Sequence, residues 1–538
     1  MTSTDLGSTA TTPTGIKAAI DIGTNSMHLV VARIGDHGGF ELLLTEKEMV
    51  RLGQGGGDMK LLAEDAIDRG IAALKRLSEV AQSYGEADLI AVATSAVREA
   101  SNKDVFLSRA RSEVGIDVEV ISGFEEARLI HIGVLQALPV FDQRILLVDI
   151  GGGSTEFLVG EGAEPLEARS MKLGAIRLTE RFFSQAVEHE GVASAESIDQ
   201  CRKYVRAVLA PVAHELSGHQ PEIAIASSGT ATTVAAMAAA ARGETVRNMN
   251  GVRFSVGEVA DVVAAVSTRT SVDRRKLPGL DGKRSDIILG GAVLLHEIFV
   301  AYDLEYMTIS DFALREGVLF DRFGSEAGHD LSNIRRSNLV RLARQLDPDP
   351  SHAEHTAHLA LQIFDRTQKL HKLTVDDREL LEAAAIVHNV GLFISHSSHH
   401  KHSYYVIRNS EQLTGFTEHE LEIIAVVARY HRKSHPSEKH AEFAALSKRD
   451  QRVVRKLAGI LRVAIGLDRR HAGTVHSVRV FNDAGANRLT IEPVAPPGAD
   501  LDLELYAATE RAGLLAHALD TEVVVTRAVA SESEYLSS

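Results

Sequence analysis

A chain of 538 residues is too long for one hydrophobic core, so two to four domains are expected. Its 44% hydrophobic and 24% charged content suits a globular protein, and the net charge of −15 argues against general nucleic-acid affinity while leaving room for a local basic channel to a polyanion. The lone Cys201 excludes a disulfide framework and fits a reducing cytoplasm, and no apolar run approaches the ~20 residues a membrane helix needs.

Residues 1–15, rich in Ser and Thr without an apolar core, read as a disordered tail and not as a signal peptide. Lys17–Ile22, Met27–Ile34 and Glu41–Glu48 read as three short strands. A helix near 63–83, strand Asp88–Ala93, a helix near 102–112, strand Asp117–Ile121, helix Glu125–Ala137 and strand Arg144–Ile150 follow. The order then repeats, with strands near 156–160 and 165–173, helices near 175–187 and 196–216, and strand Glu222–Ala226. A helix opens after Ser227-Ser228-Gly229-Thr230, and strand Glu305–Ile309 with a helix from Ala313 closes the series. This predicts two α/β halves, 16–140 and 141–324. Gly324–Asp330 reads as a linker. Residues 331–470 are helical in pattern, with stripes at Leu359, Ile363, Phe364 and at Leu421, Ile424, Ala428, His431. Residues 471–538 read as a small α/β domain, with His476–Val480, Arg488–Ile491 and Leu501–Tyr506 as alternating segments, then a helix and Glu522–Thr526.

The most informative feature is a repeat. Ala19–Val31 (AIDIGTNSMHLVV) and Leu147–Gly160 (LVDIGGGSTEFLVG) both read as strand, Asp-Ile-Gly, tight turn and second strand, 128 positions apart. Two such hairpins predict two half-domains facing one cleft, each offering backbone N–H groups to phosphate and a carboxylate, Asp21 or Asp149, to an accompanying Mg²⁺. The phosphate cradle would comprise Gly23, Thr24, Asn25 and Ser26 from the first loop and Gly151, Gly152, Gly153, Ser154 and Thr155 from the second. Gly229 and Thr230 would add a helix N-terminus, a ready anion site.

With ATSAVREASN (Ala93–Asn102), ISGFEEARL (Ile121–Leu129), SMKLGAIRLTERF (Ser170–Phe182), SSGT and SDFALREGV (Ser310–Val318), these loops resemble the exopolyphosphatase/guanosine pentaphosphate phosphatase family. That family belongs to the actin, sugar-kinase and chaperone-ATPase superfamily of duplicated ribonuclease-H-like folds. HNVGLFISHSSHHKHSYYVIRNS (His388–Ser410) and VARYHRK (Val427–Lys433) resemble the helical HD-like domain of its long members. The resemblance implies that Glu126 is the general base for the attacking water and that Asp149 and Glu156 hold Mg²⁺, with Mn²⁺ as an alternative. Asp21 would line the opposite wall. Arg98 would clamp a phosphoryl oxygen, with Lys172, Arg177 and Arg128 as weaker candidates for the polyanion.

The histidines His396, His399, His400 and His402 match no standard zinc spacing. They read as exposed loop residues forming, with Lys401, Arg408, Arg432, Lys433 and His435, a basic strip that contacts phosphates. In an HD phosphohydrolase a His-Asp pair ligates metal; here the pair is His388-Asn389, and a neutral amide poorly replaces a hard anionic ligand. A second hydrolytic site is therefore not expected, and His355, His388 and Asp468 become packing or substrate contacts.

The expected activity is Mg²⁺-dependent exopolyphosphatase, releasing orthophosphate from the end of inorganic polyphosphate, or alternatively guanosine pentaphosphate 5′-phosphohydrolase. A small-molecule kinase on the same superfold lacks a recognisable sugar-site motif, and a Glu poised for water would waste ATP. A non-catalytic ligand sensor is disfavoured by the intact Glu126, Asp149 and Glu156. A cytoplasmic homodimer with no specific nucleic acid or membrane partner completes the expectation.

Overall fold

The two Asp-Ile-Gly lines form the same hairpin twice in the computed structural model, which describes residues 15–34, 40–54, 60–324, 334–410, 412–413 and 415–527. Strand β1 (Ile16–Ile22) pairs antiparallel with β2 (Ser26–Ile34), and β2 with β3 (Phe40–Met49). Beyond β1 lie the parallel strands β4 (Ala87–Ala93) and β5 (Val118–Val120), so the first sheet reads β3-β2-β1-β4-β5. The second sheet repeats the plan with β6 (Arg144–Ile150), β7 (Thr155–Glu161), β8 (Glu164–Met171), β9 (Ile223–Ser227), β10 (Arg253–Ser255) and β11 (Tyr306–Ile309), in the order β10-β11-β9-β6-β7-β8. Asp21 lies opposite His28 and Asp149 opposite Glu156, and in each turn the glycine N–H returns to a serine carbonyl, Gly23 to Ser26 at 3.1 Å and Gly151 to Ser154 at 2.9 Å. The repetition is thus one of register as well as of sequence. The fold is a duplicated ribonuclease-H-like, actin and sugar-kinase type α/β architecture, followed by a mainly helical region.

Apolar strands buried on both faces need helices on both sides, and the chain supplies them. The amphipathic helix Glu64–Gln82 covers the outer face of the first sheet with Ile67, Ile71, Leu74 and Leu77. Helices Ala195–Ser217, Ser228–Ala241, Val256–Ser267 and Ile288–Ala301 cover the outer face of the second, with Cys201 buried among them. Between the sheets lie helices Gly123–Ala137 and Leu314–Phe323, in one cluster with Val30, Ile34 and Val92 of the first sheet and Leu147, Leu158 and Ile225 of the second. At their crossing Gly133 and Gly317 bring the two backbones together, each lying where a Cβ would strike the other helix. A cut at 140/141 does not separate the packing. The helix Gly123–Ala137, expected in the first half, packs on both sheets, and so does Leu314–Phe323 from the second.

The chain divides into two compact units, one of residues 1–334 with 414–416 and one of residues 335–413 with 417–538. In the second, helices Pro350–His371, Val375–Val387, Glu418–Arg429 and Lys448–Leu467 bury the expected stripes, including Leu359, Ile363, Phe364, Leu421, Ile424 and Ala428. The tail is not a unit of its own. Gly459 and Gly466 on the Lys448–Leu467 helix press against the backbones of Leu515 and Ala508, helix to helix, and β12 (Ser477–Asp483), β13 (Arg488–Val494) and β14 (Glu522–Val525) complete the layer. Leu501–Tyr506, expected as an extended segment, opens the helix Asp502–Arg511, whose Glu504, Ala507 and Ala508 are buried at helical spacing. The expected tail 1–15 and linker Gly324–Asp330 fall almost wholly outside the described residues. Among the described residues no helix is long and apolar enough to cross a membrane.

Candidate active site

Both hairpin turns, the β4 end and the start of helix Ser228–Ala241 open into one cavity of about 440 Å³. Gly23, Thr24, Asn25 and Ser26 line one wall and Gly151, Gly152, Ser154, Gly229 and Thr230 the other, with Asp21, Glu126 and Asp149 in the lining. The second loop is held from behind: Ala175 N–H donates to Gly151 O at 3.0 Å and Ile176 N–H to Gly152 O at 2.9 Å. Gly174 makes this approach possible, since a Cβ there would overlap the Gly152 peptide. Ser228 sits in the left-handed region at φ 74°, its hydroxyl donating to Ile150 O at 2.5 Å. Such a conformation costs of order 1–3 kcal/mol in a non-glycine residue and marks a backbone fixed by its surroundings.

Glu126 lies in the first turn of helix Gly123–Ala137, which is capped by Ser122 Oγ accepting from Glu125 N–H. Its carboxylate is 6% exposed and accepts from Arg98 Nη1 at 2.8 Å. Burial pushes its pKa up to about 7, offset by Arg98 and reinforced by Asp149. Asp149 accepts from Ser227 Oγ and is pushed up to about 6 by burial, with Ser227 and Arg284 acting against the shift. Asp21 is raised well above the usual carboxylate range by burial and by the charges of Glu126 and Asp149, and its Oδ1 is buried without a hydrogen-bond partner.

The facing cations are residues the sequence analysis did not single out. Lys47, Arg284 and Arg315 line the cavity beside His28. Burial and the neighbouring Arg284 hold the Lys47 pKa down to about 8. Arg284 lies flat against Gly229, where a Cβ would overlap its guanidinium. Arg315 Nη1 donates to His28 Nδ1 at 2.9 Å, so His28 carries its proton on Nε2 and donates to Ser26 Oγ at 2.8 Å. Burial and Arg315 hold His28 neutral, with a pKa well below the usual range. The Ser26 hydroxyl proton is then free to donate to a phosphate oxygen. Lys47 and Arg284 carry no motif signal, but His28 had one: it occupies the repeat position of Glu156.

Several expected site residues lie elsewhere. Glu156, expected as a metal ligand, stands opposite Asp149 in the hairpin but outside the cavity lining; its carboxyl is 1% exposed and accepts from Ser170 Oγ at 2.8 Å. Burial, foremost, with Glu126 and Asp149 raises its pKa well above the usual range. Arg98 Nη1 donates to Glu126 at 2.8 Å and to Ile121 O at 3.1 Å, and Arg98 is not part of the lining. Lys172 pairs with Glu99 at 2.7 Å at the surface, Arg177 ties Gly153 O at 2.9 Å, and Arg128 bridges Glu125 and Asp321. Gly153 and Thr155 also lie behind the lining, Thr155 Oγ1 donating to Leu173 O at 2.7 Å.

The oxygen donors present fit a hard divalent cation. Among the described residues no three His, Cys, Asp or Glu side chains converge to form a cage. Asp21 and Asp149, one with an unpartnered oxygen, match the way Mg²⁺ is held by one or two carboxylates, waters and substrate phosphates.

In the second unit His396 lies exposed in a bend, as expected, whereas His399, His400 and His402 open helix His399–Asn409 and His399 and His400 are buried, 8% and 7% exposed, contrary to the exposed loop expected. Helix periodicity turns these two inward. Arg408 is paired with Glu422 at 2.5 Å and is not free for phosphate, whereas Lys401 is exposed. His388 is 1% exposed and donates from Nδ1 to Ala385 O at 2.7 Å. Asp468 pairs with His352 at 2.7 Å, and His355 bonds Val475 O at 2.9 Å.

The family model described as the Ppx/GppA phosphatase family matches residues 30–326, and that of Ppx/GppA phosphatase domain III matches 334–506. A solved exopolyphosphatase from Cytophaga hutchinsonii is 31% identical, covering 59% of this chain and 100% of its own, with a TM-score of 0.53. An exopolyphosphatase-like protein is 27% identical over 58% of this chain and 99% of its own, with a TM-score of 0.51. A Ppx/GppA family member from Aquifex aeolicus is 28% identical over 59% and 100%, with a TM-score of 0.49.

Proposed function

The chain belongs to the Ppx/GppA phosphatase family and is a phosphoanhydride hydrolase, and from that premise we propose that it is an exopolyphosphatase acting on the terminal phosphate of inorganic polyphosphate. The observation that carries this reading is the cavity itself. A carboxylate with its pKa near 7 faces two phosphate-type loops and three cations, with buried acids at its base.

Glu126 takes the proton of a water positioned for in-line attack on the terminal phosphorus, and Arg98 keeps its carboxylate oriented. The loop backbones, the Ser26 hydroxyl and the Gly229–Thr230 helix start hold the phosphoryl oxygens, while Lys47, Arg284 and Arg315 offset charge along the chain. Asp21 and Asp149 would hold Mg²⁺, which when bound neutralises charge on the phosphates. The similarity to a solved exopolyphosphatase and to an exopolyphosphatase-like protein supports polyphosphate as the substrate.

One observation favours guanosine pentaphosphate as a second reading. A cavity of about 270 Å³ shares Asn25 and Ile287 with the phosphate cleft and adds Ile176, Val187 and Thr179, walls suited to a nucleoside. Phosphate release from long polyphosphate, guanosine pentaphosphate and ATP, measured in parallel, tests both. A kcat/KM highest for polyphosphate is expected; a preference for guanosine pentaphosphate shifts the assignment to the second reading, and failure to hydrolyse either overturns both.

The pH profile is a further expected result. Glu126 must be ionised, so kcat/KM should rise as pH increases through about 7. Lys47 must be protonated, so it should fall again above about 8. A flat profile from pH 5.5 to 9 would separate activity from both groups.

A further inference from the structure

The duplication builds two matching cross-strand rows behind the loops. One is Asp21, His28 and Lys47 across β1, β2 and β3; the other is Asp149, Glu156 and Ser170 across β6, β7 and β8. In each row the middle residue stands two positions after the serine whose carbonyl closes the turn, Ser26 or Ser154. The backbones repeat and the middle side chains do not. Glu156 accepts from Ser170 Oγ at 2.8 Å and stays outside the cavity lining, whereas His28 lies in it.

His28 is one link of a chain that reaches back to helix Leu314–Phe323. Glu316, fully buried, accepts from Ala313 N–H at 3.0 Å and from Arg315 Nε. Arg315 Nη1 meets His28 Nδ1 at 2.9 Å, and His28 Nε2 meets Ser26 Oγ at 2.8 Å. Each link runs in one direction. A guanidinium offers donors only and keeps its protons, so Nδ1 must supply a lone pair. The single ring proton then sits on Nε2, and Ser26 Oγ must accept it. Among the described residues Ser26 Oγ has no other hydrogen-bond partner, so its own hydrogen is left for the cavity that Ser26 lines. Thr24 in the same loop shows the contrast. Its hydroxyl pairs with Ser95 Oγ at 2.9 Å, a contact in which either oxygen can donate.

We propose that Glu316, Arg315 and His28 are positioning residues that preset the Ser26 hydroxyl as a donor to a phosphoryl oxygen. This rests on the reading of the cleft as a phosphoanhydride hydrolase site and adds to it the direction of one hydrogen bond. A serine hydroxyl normally rotates to suit its partner. Held this way it admits only an acceptor, such as an ionised phosphoryl oxygen, and needs no reorientation when substrate arrives. A carboxyl group at the matching position, Glu156, imposes no such direction on the second loop.

Two substitutions separate the roles of the two ring nitrogens. His28→Asn keeps an acceptor near the Nδ1 position and has no donor in reach of Ser26, whereas His28→Gln carries an amide N–H near the Nε2 position. On tripolyphosphate and guanosine pentaphosphate, Ser26→Ala and His28→Asn should each lower kcat/KM about 10–100-fold, the loss of one hydrogen bond to a charged oxygen. The double variant should lose no more than about twofold beyond either single one, because both remove the same donor. His28→Gln should recover to within about fivefold of the wild type. A packing role predicts otherwise: Asn and Gln would behave alike, and the two losses would multiply. In protein labelled with nitrogen-15 at histidine, the His28 resonances, assigned by their loss in His28→Gln, should show Nε2 protonated and Nδ1 bare. That measurement needs no substrate, so it tests the chain of hydrogen bonds even if His28→Asn does not fold. The proposal is overturned by a proton on Nδ1, by His28→Asn within about twofold of the wild type, or by losses that multiply. A wild type that hydrolyses neither substrate, with its proton on Nε2, overturns the substrate readings and leaves the hydrogen-bond direction standing.

Discussion

Glu126→Gln is expected to lower kcat by about 10²–10⁴ with KM nearly unchanged. Glutamine keeps the volume and an acceptor oxygen for Arg98 Nη1, now 2.8 Å from the carboxylate, so the local geometry should survive. It cannot take a proton. Glu125→Gln is the control, because Glu125 points to Arg128 at 2.8 Å and lies outside the cleft lining. Its loss should leave kcat within a few-fold and cost at most about 1 kcal/mol of stability, as for other partly exposed ion pairs. Steady-state kinetics on tripolyphosphate reads both variants, and a greater loss in Glu125→Gln would move the base to the neighbouring position.

Asp149→Asn is expected to abolish most activity yet stabilise the metal-free protein at neutral pH. The Asp149 pKa is raised to about 6 by burial, foremost, against Ser227 and Arg284. A folded-state pKa above the unfolded value near ~4 means full stability below ~4, lost as pH rises through about 6. At pH 7.5 in EDTA the wild type therefore carries a penalty of up to ~3 kcal/mol from this group, two pKa units at about 1.4 kcal/mol each. Asparagine keeps an acceptor for Ser227 and removes the charge. Thermal unfolding in EDTA should show Asp149→Asn melting above the wild type at pH 7.5, with the gap closing at pH 4. Mg²⁺ should raise the melting temperature of the wild type more than that of the variant, and chelation should abolish wild-type hydrolysis. Full hydrolysis in EDTA would remove the metal from the reaction.

The duplication was legible because a strand–Asp–Gly-turn–strand unit writes its geometry into contiguous residues. Its two turns and both Asp residues meet in the cavity as the repeat implies, and Glu126, pointed to by the family resemblance, lies in the same lining. The cavity's cations were not legible. Lys47 is on β3, Arg284 follows a short turn and Arg315 is on a late helix, so only the closing of two sheets around helices Gly123–Ala137 and Leu314–Phe323 brings them together. Arg98 meets Glu126 across only 28 positions of the chain, a contact the motifs did not predict.

Local pattern determined the order of strands and helices, the two phosphate loops and the helical character of residues 334–467, because backbone hydrogen bonding and apolar periodicity act over a few residues. Tertiary structure decided which charges face each other. His400 turned inward, Arg408 found Glu422, and Glu156 came to lie behind its loop. A charge's role is set by neighbours that can lie hundreds of residues away, and burial, which no single segment encodes, fixes the strength of their interaction.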